Sequence, residues 1–434
     1  MAGGAAIAQE QQAPGAPQAM AGLALQHICF AGLPAGLGGL DRASRHLEFH
    51  CRRGWIKPRN PMVLKGKRSC VLAWKRPLRW PGSRKPSQGG LADVVVPNFH
   101  RRYTGVSATI QALVPCQRRS RQVGLWDWGG LPVLAQFSWI DLLRHGWDRP
   151  LLGSHRIWHA RRDLEILMGF VLKHGLRQPW KVVFTSAAPK RPGVGLQWLL
   201  GACDAVIATS ERSAAFLPRC TTVIHHGVDT DFYCPGEGST GVPQNSYLIG
   251  AFGRIRPSKG TDLLVSALVE VLPEYPQFSA FFTGLCKPSE KAYLESMQAK
   301  ISKAGLEERI KFLGDLDRES VRRLYQQATL CVAASRREGF GLTPLEAMAS
   351  GCAVLTSDAG VWPRVVDSVV GLRFETGRLD DLIEKLRLLL ADPGKLLEMG
   401  RKGRERAVAK HSLEQEADAI HRLYLDLGGA DISP

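Results

Sequence analysis

Two segments in the second half of the chain run a loop bearing glycines into the start of a helix. The fold that gives such loops a shared edge is an open parallel α/β sheet, whose ligands sit at the carboxyl ends of the strands. Tyr247-Leu-Ile-Gly-Ala-Phe252 reads as a short buried strand, followed by Gly253-Arg254-Ile-Arg-Pro-Ser-Lys259-Gly260 and a helix opening at Thr261-Asp262. Further on, Glu338-Gly-Phe-Gly-Leu-Thr-Pro-Leu-Glu346 also ends in a helix start. Thr343 fits its N-cap, Pro344 its first position and Glu346 the third position of a capping box. Gly339 and Gly341 let a ligand approach the backbone, and the helix N-terminus offers N–H groups and partial positive charge. Arg254 supplies a planar fork for phosphate oxygens and Lys259 a mobile point charge. A phosphate suits such loops, and an acid beside them suits sugar hydroxyls, so the pattern reads as a nucleotide-sugar site. Plainer uses exist: Glu346 as a cap only, Glu338 as a loop carboxylate, Arg254 and Lys259 as solvated charges.

The remaining chain from residue 91 alternates strands and helices. Strands are expected at Val94–Pro97, Arg156–His159, Lys181–Thr185 and Asp204–Thr209, then near 247–252, 278–283, 309–312, 329–334, 352–357 and 370–374. Helices are expected near 105–114, 162–174, 211–217, 261–272, 289–304, 317–327 and 343–350, and a last one opens at the Ser412-x-x-Gln415 box. Arg118 to Arg156, rich in Trp, Gly and Pro, is left unassigned.

Gly253-Arg254…Lys259-Gly260, Glu338…Glu346 and the earlier His226-Gly-Val-Asp229…Phe232…Pro235 together resemble the signature of retaining family-4 glycosyltransferases of GT-B fold. Val94–Val106, Ile157-Trp-His-Ala-Arg-Arg162, Phe184-Thr-Ser-Ala-Ala188 and Asp204–Ser210 resemble the bacterial mannosyltransferases of lipopolysaccharide core assembly. The resemblance covers roughly residues 91 to 428. It implies two Rossmann-like domains facing a cleft: an acceptor-side domain at 91–240 and a nucleotide-sugar domain at 246–411. The Pro- and Gly-rich run 235–245 links them, and a helix at 412–430 crosses back to the first domain. The implied donor site is Gly253, Arg254, Lys259, Glu338, Gly339, Phe340, Gly341, Leu342, Thr343 and Glu346. By resemblance Glu338 contacts the donor sugar and Glu346 the nucleotide ribose, and Arg254, Lys259 and Glu338 are the catalytic residues. The implied reaction is hexosyl transfer with retention, for which the subgroup points to mannose from GDP-mannose.

Charge growing on a leaving diphosphate is what Arg254, Lys259 and the amides of the helix at 343 would stabilise. No Asp-x-Asp pair stands beside the phosphate loop, so no metal is expected, and the sugar nucleotide is a substrate rather than a cofactor. The acceptor side is placed at Arg101, Arg102, Thr104, Gly105, His159, Arg161 and Arg162, with Lys190 and Arg191 nearby. These basic loops suit an anionic glycan or glycolipid, though Arg pairs also occur on ordinary solvated faces. Two departures from the family stand out. Ser186 and Ala187 occupy the end of the strand where many members carry a histidine, and Arg364 stands where an acid is usual. His159 is the nearest histidine, and a packed strand-end role fits it better than catalysis. A sugar-nucleotide epimerase and a silent nucleotide-sugar-binding protein remain as alternatives.

The length of 434 residues favours two domains. Ten cysteines without a CxxC pair or metal-ligand spacing suit a reducing compartment. No apolar run reaches the ~20 residues a spanning helix needs. Residues 1–91 hold 14 Lys and Arg against 3 Asp and Glu, so +11 of the net +17 lies there. Nucleic-acid binding is therefore discounted, since it would want the basic stripe on the folded part. The first 90 residues read as a basic, low-order extension, with organelle targeting as one use. Ile28–Asp41 also looks like a first strand and glycine loop, but a start at Asp93 is preferred. A cytoplasmic enzyme, or one resting on the cytoplasmic membrane face through residues around Arg118–Trp147, is the expected setting.

Overall fold

The computed structural model describes residues 92–428 apart from 103, 133–137, 149, 151–152, 189 and 237–245. Ile28–Asp41 and most of the expected linker lie outside these residues.

Two six-stranded sheets carry the fold, and every strand pair in both is parallel. The first contains β1 Val94–Asn98, β2 Val123–Asp127, β3 Arg156–Ala160, β4 Trp180–Ser186, β5 Ala205–Ala208 and β6 Thr222–Val223, in the order 2-1-3-4-5-6. The second contains β7 Tyr247–Phe252, β8 Phe278–Thr283, β9 Ile310–Gly314, β10 Leu330–Ala333, β11 Ala353–Ser357 and β12 Gly371–Phe374, in the order 12-11-10-7-8-9. Connections run opposite ways from the neighbours β1/β3 and from β7/β10. Each junction opens a crevice at the strand ends, where a doubly wound sheet takes its ligand.

All expected strands are present within a residue or two at each end. The unassigned stretch holds β2 and a helix, Trp139–His145. Strand alternation splits the first sheet's core in two. Val94, Val96, Ile157, Val183 and Ile207 face one side; Val95, Trp158, Val182, Phe184 and Val206 face the other. The first side is covered by helix Gly105–Gln117 and by the last helix, Leu413–Gly428, whose Ala417, Ile420, Leu423 and Tyr424 join that core. The C-terminal helix thus seals the first sheet after the chain has built the second. At its start Ser412 Oγ accepts from Gln415 N at 3.4 Å, but the Gln415 amide reaches the Ala409 carbonyl, so the expected reciprocal box is only half made.

Burial under this helix sets an acid limit on stability. His421 shares a 2.8 Å hydrogen bond with the Ser120 hydroxyl through Nδ1, while its Nε2 is buried without a partner. Burial, with Arg121 adding, pushes its pKa from the ordinary 6.5 down to about 4. Burial first, then His225, Arg406 and Lys410, does the same to His411. A histidine with a depressed native pKa keeps its stabilising contribution above the unfolded value and loses it as pH falls through the native one. Urea midpoints are therefore expected to fall between pH 6.5 and about 4. His421→Gln should flatten that decline, by at most ~1.4 kcal/mol per pH unit. Identical pH slopes in the variant and the parent chain would refute the assignment.

Candidate functional site

The β7/β10 junction gathers the expected donor residues. Gly260 caps helix Thr261–Val271 in the left-handed region, φ +67°, and a Cβ there would meet the Ala334 carbonyl at 2.0 Å. Only glycine lets the loops after β7 and β10 close so tightly. Lys259, one residue earlier, donates from Nζ to Glu338 Oε2 at 2.5 Å, and Ser335 Oγ donates to the same oxygen at 3.2 Å. Both members of the ion pair are largely buried, 22% and 16% exposed. Arg254 is exposed and has no hydrogen-bond or ionic partner among the described residues. Gly253, Arg254, Lys259, Ser335, Thr343 and Trp362 line one recess.

The helix at 343 corrects the expected cap. It spans Thr343–Ala349 with Leu342 as N-cap and no side-chain cap, so Thr343 is its first residue and Pro344 its second. Glu346 does not turn back to the cap, because it has a stronger partner: the Tyr325 hydroxyl donates to its Oε2 at 2.9 Å. Burial raises its pKa, opposed by the Tyr325 and Tyr233 hydroxyls and by the charges of Arg318 and Lys259. Of the two loop glycines, Gly341 has positive φ (+82°), and a Cβ there would strike Glu338 and Trp362 at 2.6 Å. Gly339 is not in that region. Phe340 is turned inward, 4% exposed, with its ring edge-on to His226 at 5.1 Å. Its side chain therefore pins the loop, and only its backbone remains for a ligand.

The β1/β3 junction brings together the loops expected on the acceptor side, with three roles redrawn. Arg162 is not free. Its guanidinium donates to Asn98 Oδ1 at 2.8 Å, Glu165 Oε1 at 3.0 Å and Thr104 Oγ1 at 3.0 Å, tying the loop after β1 to the loop after β3. Thr104 is also the N-cap of the helix that Gly105 begins. His159 is fully buried between the Tyr424 and Thr185 hydroxyls and kept neutral by burial, so it cannot touch an acceptor. Arg101 and Arg102 are exposed. Arg161 is the unusual one. It is 8% exposed, yet its guanidinium has no hydrogen-bond partner among the described residues and its Nε is enclosed. Burial lowers its pKa against the pull of Glu416, Tyr424 and Glu165.

Arg364, the departure noted above, forms an ion pair with Glu211, which also meets His225 Nε2 at 3.3 Å. The pair joins the short helix Trp362–Val365, which follows β11, to the short helix Glu211–Ala214, which follows β5, so Arg364 links elements that follow strands of the two sheets. His226 Nδ1 meets Glu416 Oε1 at 2.9 Å and Gly227 N donates to Glu416 Oε2 at 2.8 Å, fastening the same segment to the last helix.

The family described as glycosyl transferases group 1 matches residues 237–406, which hold Arg254, Lys259, Glu338 and Glu346. The chain is 40% identical over 350 residues to the lipopolysaccharide core biosynthesis mannosyltransferase LpcC of Rhizobium leguminosarum bv. viciae, covering 78% of this chain and 97% of that protein. The chain belongs to the group 1 glycosyltransferases.

This glycosyltransferase is also 36% identical over 345 residues to the lipopolysaccharide core biosynthesis mannosyltransferase LpsB of Rhizobium meliloti, covering 77% of this chain and 97% of that protein. Its fold is GT-B. The crystal structure of Anabaena Alr3699/HepE in complex with UDP matches with a TM-score of 0.63 at 22% identity, over 77% of this chain and 99% of that one. Sucrose-phosphate synthase from Thermosynechococcus elongatus matches with 0.60 at 19% identity, over 77% and 98%. Among the described residues of this glycosyltransferase, no helix is long and apolar enough to cross a membrane. Sequence reasoning missed Ser335, Tyr325 and Trp362 as partners of the two glutamates and the glycine loop. Ser335 had a usable signal, its place just past a strand end; Tyr325 and Trp362 lie on other helices and had none.

Proposed function

We propose that this glycosyltransferase moves mannose from GDP-mannose, with retention, onto an anionic glycolipid or polysaccharide acceptor, as in lipopolysaccharide core synthesis. The observation that carries the reading is the Lys259–Glu338 pair beside an unpartnered Arg254 at a strand-end crevice. Cleaving the bond from the anomeric carbon to the diphosphate leaves charge on phosphate oxygens, which Arg254 and Lys259 would meet. Glu338 then faces the sugar hydroxyls, and Glu346, on the first helical turn, the ribose. The names of the two Rhizobium relatives support mannose and the core acceptor. No resident metal or cofactor enters the reading, because the two cations supply the positive charge. Retention follows from attack on the face the diphosphate leaves, with the leaving oxygen taking the acceptor's proton.

Arg161 supports an anionic acceptor. Its guanidinium makes no hydrogen bond among the described residues, although the charges of Glu416 and Glu165 act on it, so an anionic acceptor would find an unused donor fork there. The test is a panel of sugar nucleotides against the full chain, read as ligand-induced thermal stabilisation. GDP-mannose should raise the melting temperature most, by several degrees at a hundredfold excess over its Kd. A larger rise with a UDP-sugar would overturn the donor assignment.

A further inference from the structure

Three helices cover the face of the first sheet away from the C-terminal helix: Trp139–His145, Asp163–Phe170 with its continuation Val171–Gly175, and Val194–Ala202. Their inward residues Leu142, Ile166, Leu172, Leu199 and Leu200 share one core with Trp158 and Val182. The helices are adjacent. The second packs against the third, and just beyond the first helix Trp147 Nε1 donates to the Leu176 carbonyl at 3.1 Å. A solvated layer of this kind buries one stripe per helix and shows polar residues outward.

Here the outward stripes are apolar as well. On the second helix Leu164, Leu167 and Val171 recur at helical spacing, 49%, 46% and 54% exposed. On the third, Val194 and Trp198 stand one turn apart, 84% and 72% exposed. Trp139, Ile140, Leu143 and Trp147 continue the surface on and just after the first. Nine of the fifteen exposed large apolar side chains among the described residues thus lie on one helical layer. A concentration of this kind marks an interaction surface.

We propose that this layer is the membrane-docking face of the protein and that its partner is a bilayer surface bearing anionic headgroups. Charge selects the occupant. Arg144, Arg177, Lys190 and Arg191 are exposed around the apolar stripes, and the segment 190–202 holds no acid. Three acids lie nearby, Asp141 bonded to Ser138, Asp148 to His145 and Asp163 to Leu164 N, so four cations face three carboxylates and the rim stays net positive. Leucines and tryptophans with a basic rim are the composition of an interfacial face, with indoles at headgroup depth. A second copy fits worse, since a two-fold contact sets the same basic rim against itself. The inference stands apart from the choice of donor and acceptor.

The full chain should float with vesicles of phosphatidylcholine mixed with phosphatidylglycerol, and far less with phosphatidylcholine alone. L164Q/L167Q and W139S/W198S should each weaken that binding at least ~30-fold with circular dichroism and melting unchanged. Vesicle binding by both variants equal to the parent chain would overturn the proposal, because it would place binding on the basic first 91 residues or elsewhere. A dimer in size-exclusion chromatography that the same substitutions dissolve would overturn it in favour of a second copy.

Discussion

Glu338→Gln is expected to lower sugar transfer on the order of 10²–10³-fold while leaving nucleoside diphosphate binding intact or tighter. The first part follows from removing one preorganised charge at the reacting centre. The second follows from the ion pair: Glu338 neutralises Lys259 at 2.5 Å while the donor is absent, and a donor must compete for that ammonium. With glutamine there, Lys259 is released to the phosphates. Stability should fall by no more than ~1–2 kcal/mol, because the amide oxygen of glutamine can still accept from Lys259 in this largely buried place. The check is initial rates beside calorimetric titration of GDP on the same preparation. Near-normal turnover would remove Glu338 from the chemistry; weakened GDP binding would mean the carboxylate holds the loop rather than the sugar.

The parts of the fold that the sequence displayed are those whose cause is local. Tyr247–Phe252 and Phe278–Thr283 are short apolar runs in a buried parallel sheet, and they stand at their expected bounds. β2, Val-Gly-Leu-Trp-Asp, is one of the sheet's edge strands, with its last two residues only half-buried, so no such run marks it. The gathering of Arg254, Lys259 and Glu338 was legible because each follows a strand end, and the strand order does the rest. What escaped was set by partners remote in sequence. Thr343 and Glu346 have the spacing of a capping box, yet Tyr325, on another helix, takes the glutamate. Arg161 and Arg162 are the same residue type side by side, and only the packing of Asn98, Thr104 and Glu165 makes one a clamp and leaves the other unsatisfied. Phe340 sits between glycines like a ligand-facing residue, but His226 offers its ring a buried edge.

Removing the two cations should have the largest effect on donor binding, and an unequal one. Arg254→Ala deletes an exposed fork with no protein partner, so its cost is the lost phosphate contact, ~10–100-fold in Kd for GDP. Lys259→Ala deletes the same kind of contact and also strips Glu338 of its counter-charge, leaving a bare carboxylate beside the phosphate site. Its cost should exceed that of Arg254→Ala by about another tenfold, because like charges repel strongly in a half-buried recess. The double variant should lose ~10³-fold or more. Adding Glu338→Gln to Lys259→Ala should then recover the extra tenfold in binding, though not in transfer, since the repulsion is gone while the cation and the carboxylate are both missing. Arg254→Lys should fall between the parent chain and Arg254→Ala, keeping charge without the bidentate fork. Calorimetric titration of GDP across these five variants and the parent chain separates the terms as a double-mutant cycle. If Lys259→Ala binds GDP no worse than Arg254→Ala, and the added Glu338→Gln restores nothing, then Glu338 does not face the phosphates, and the shared recess after β7 and β10 is not the diphosphate cradle.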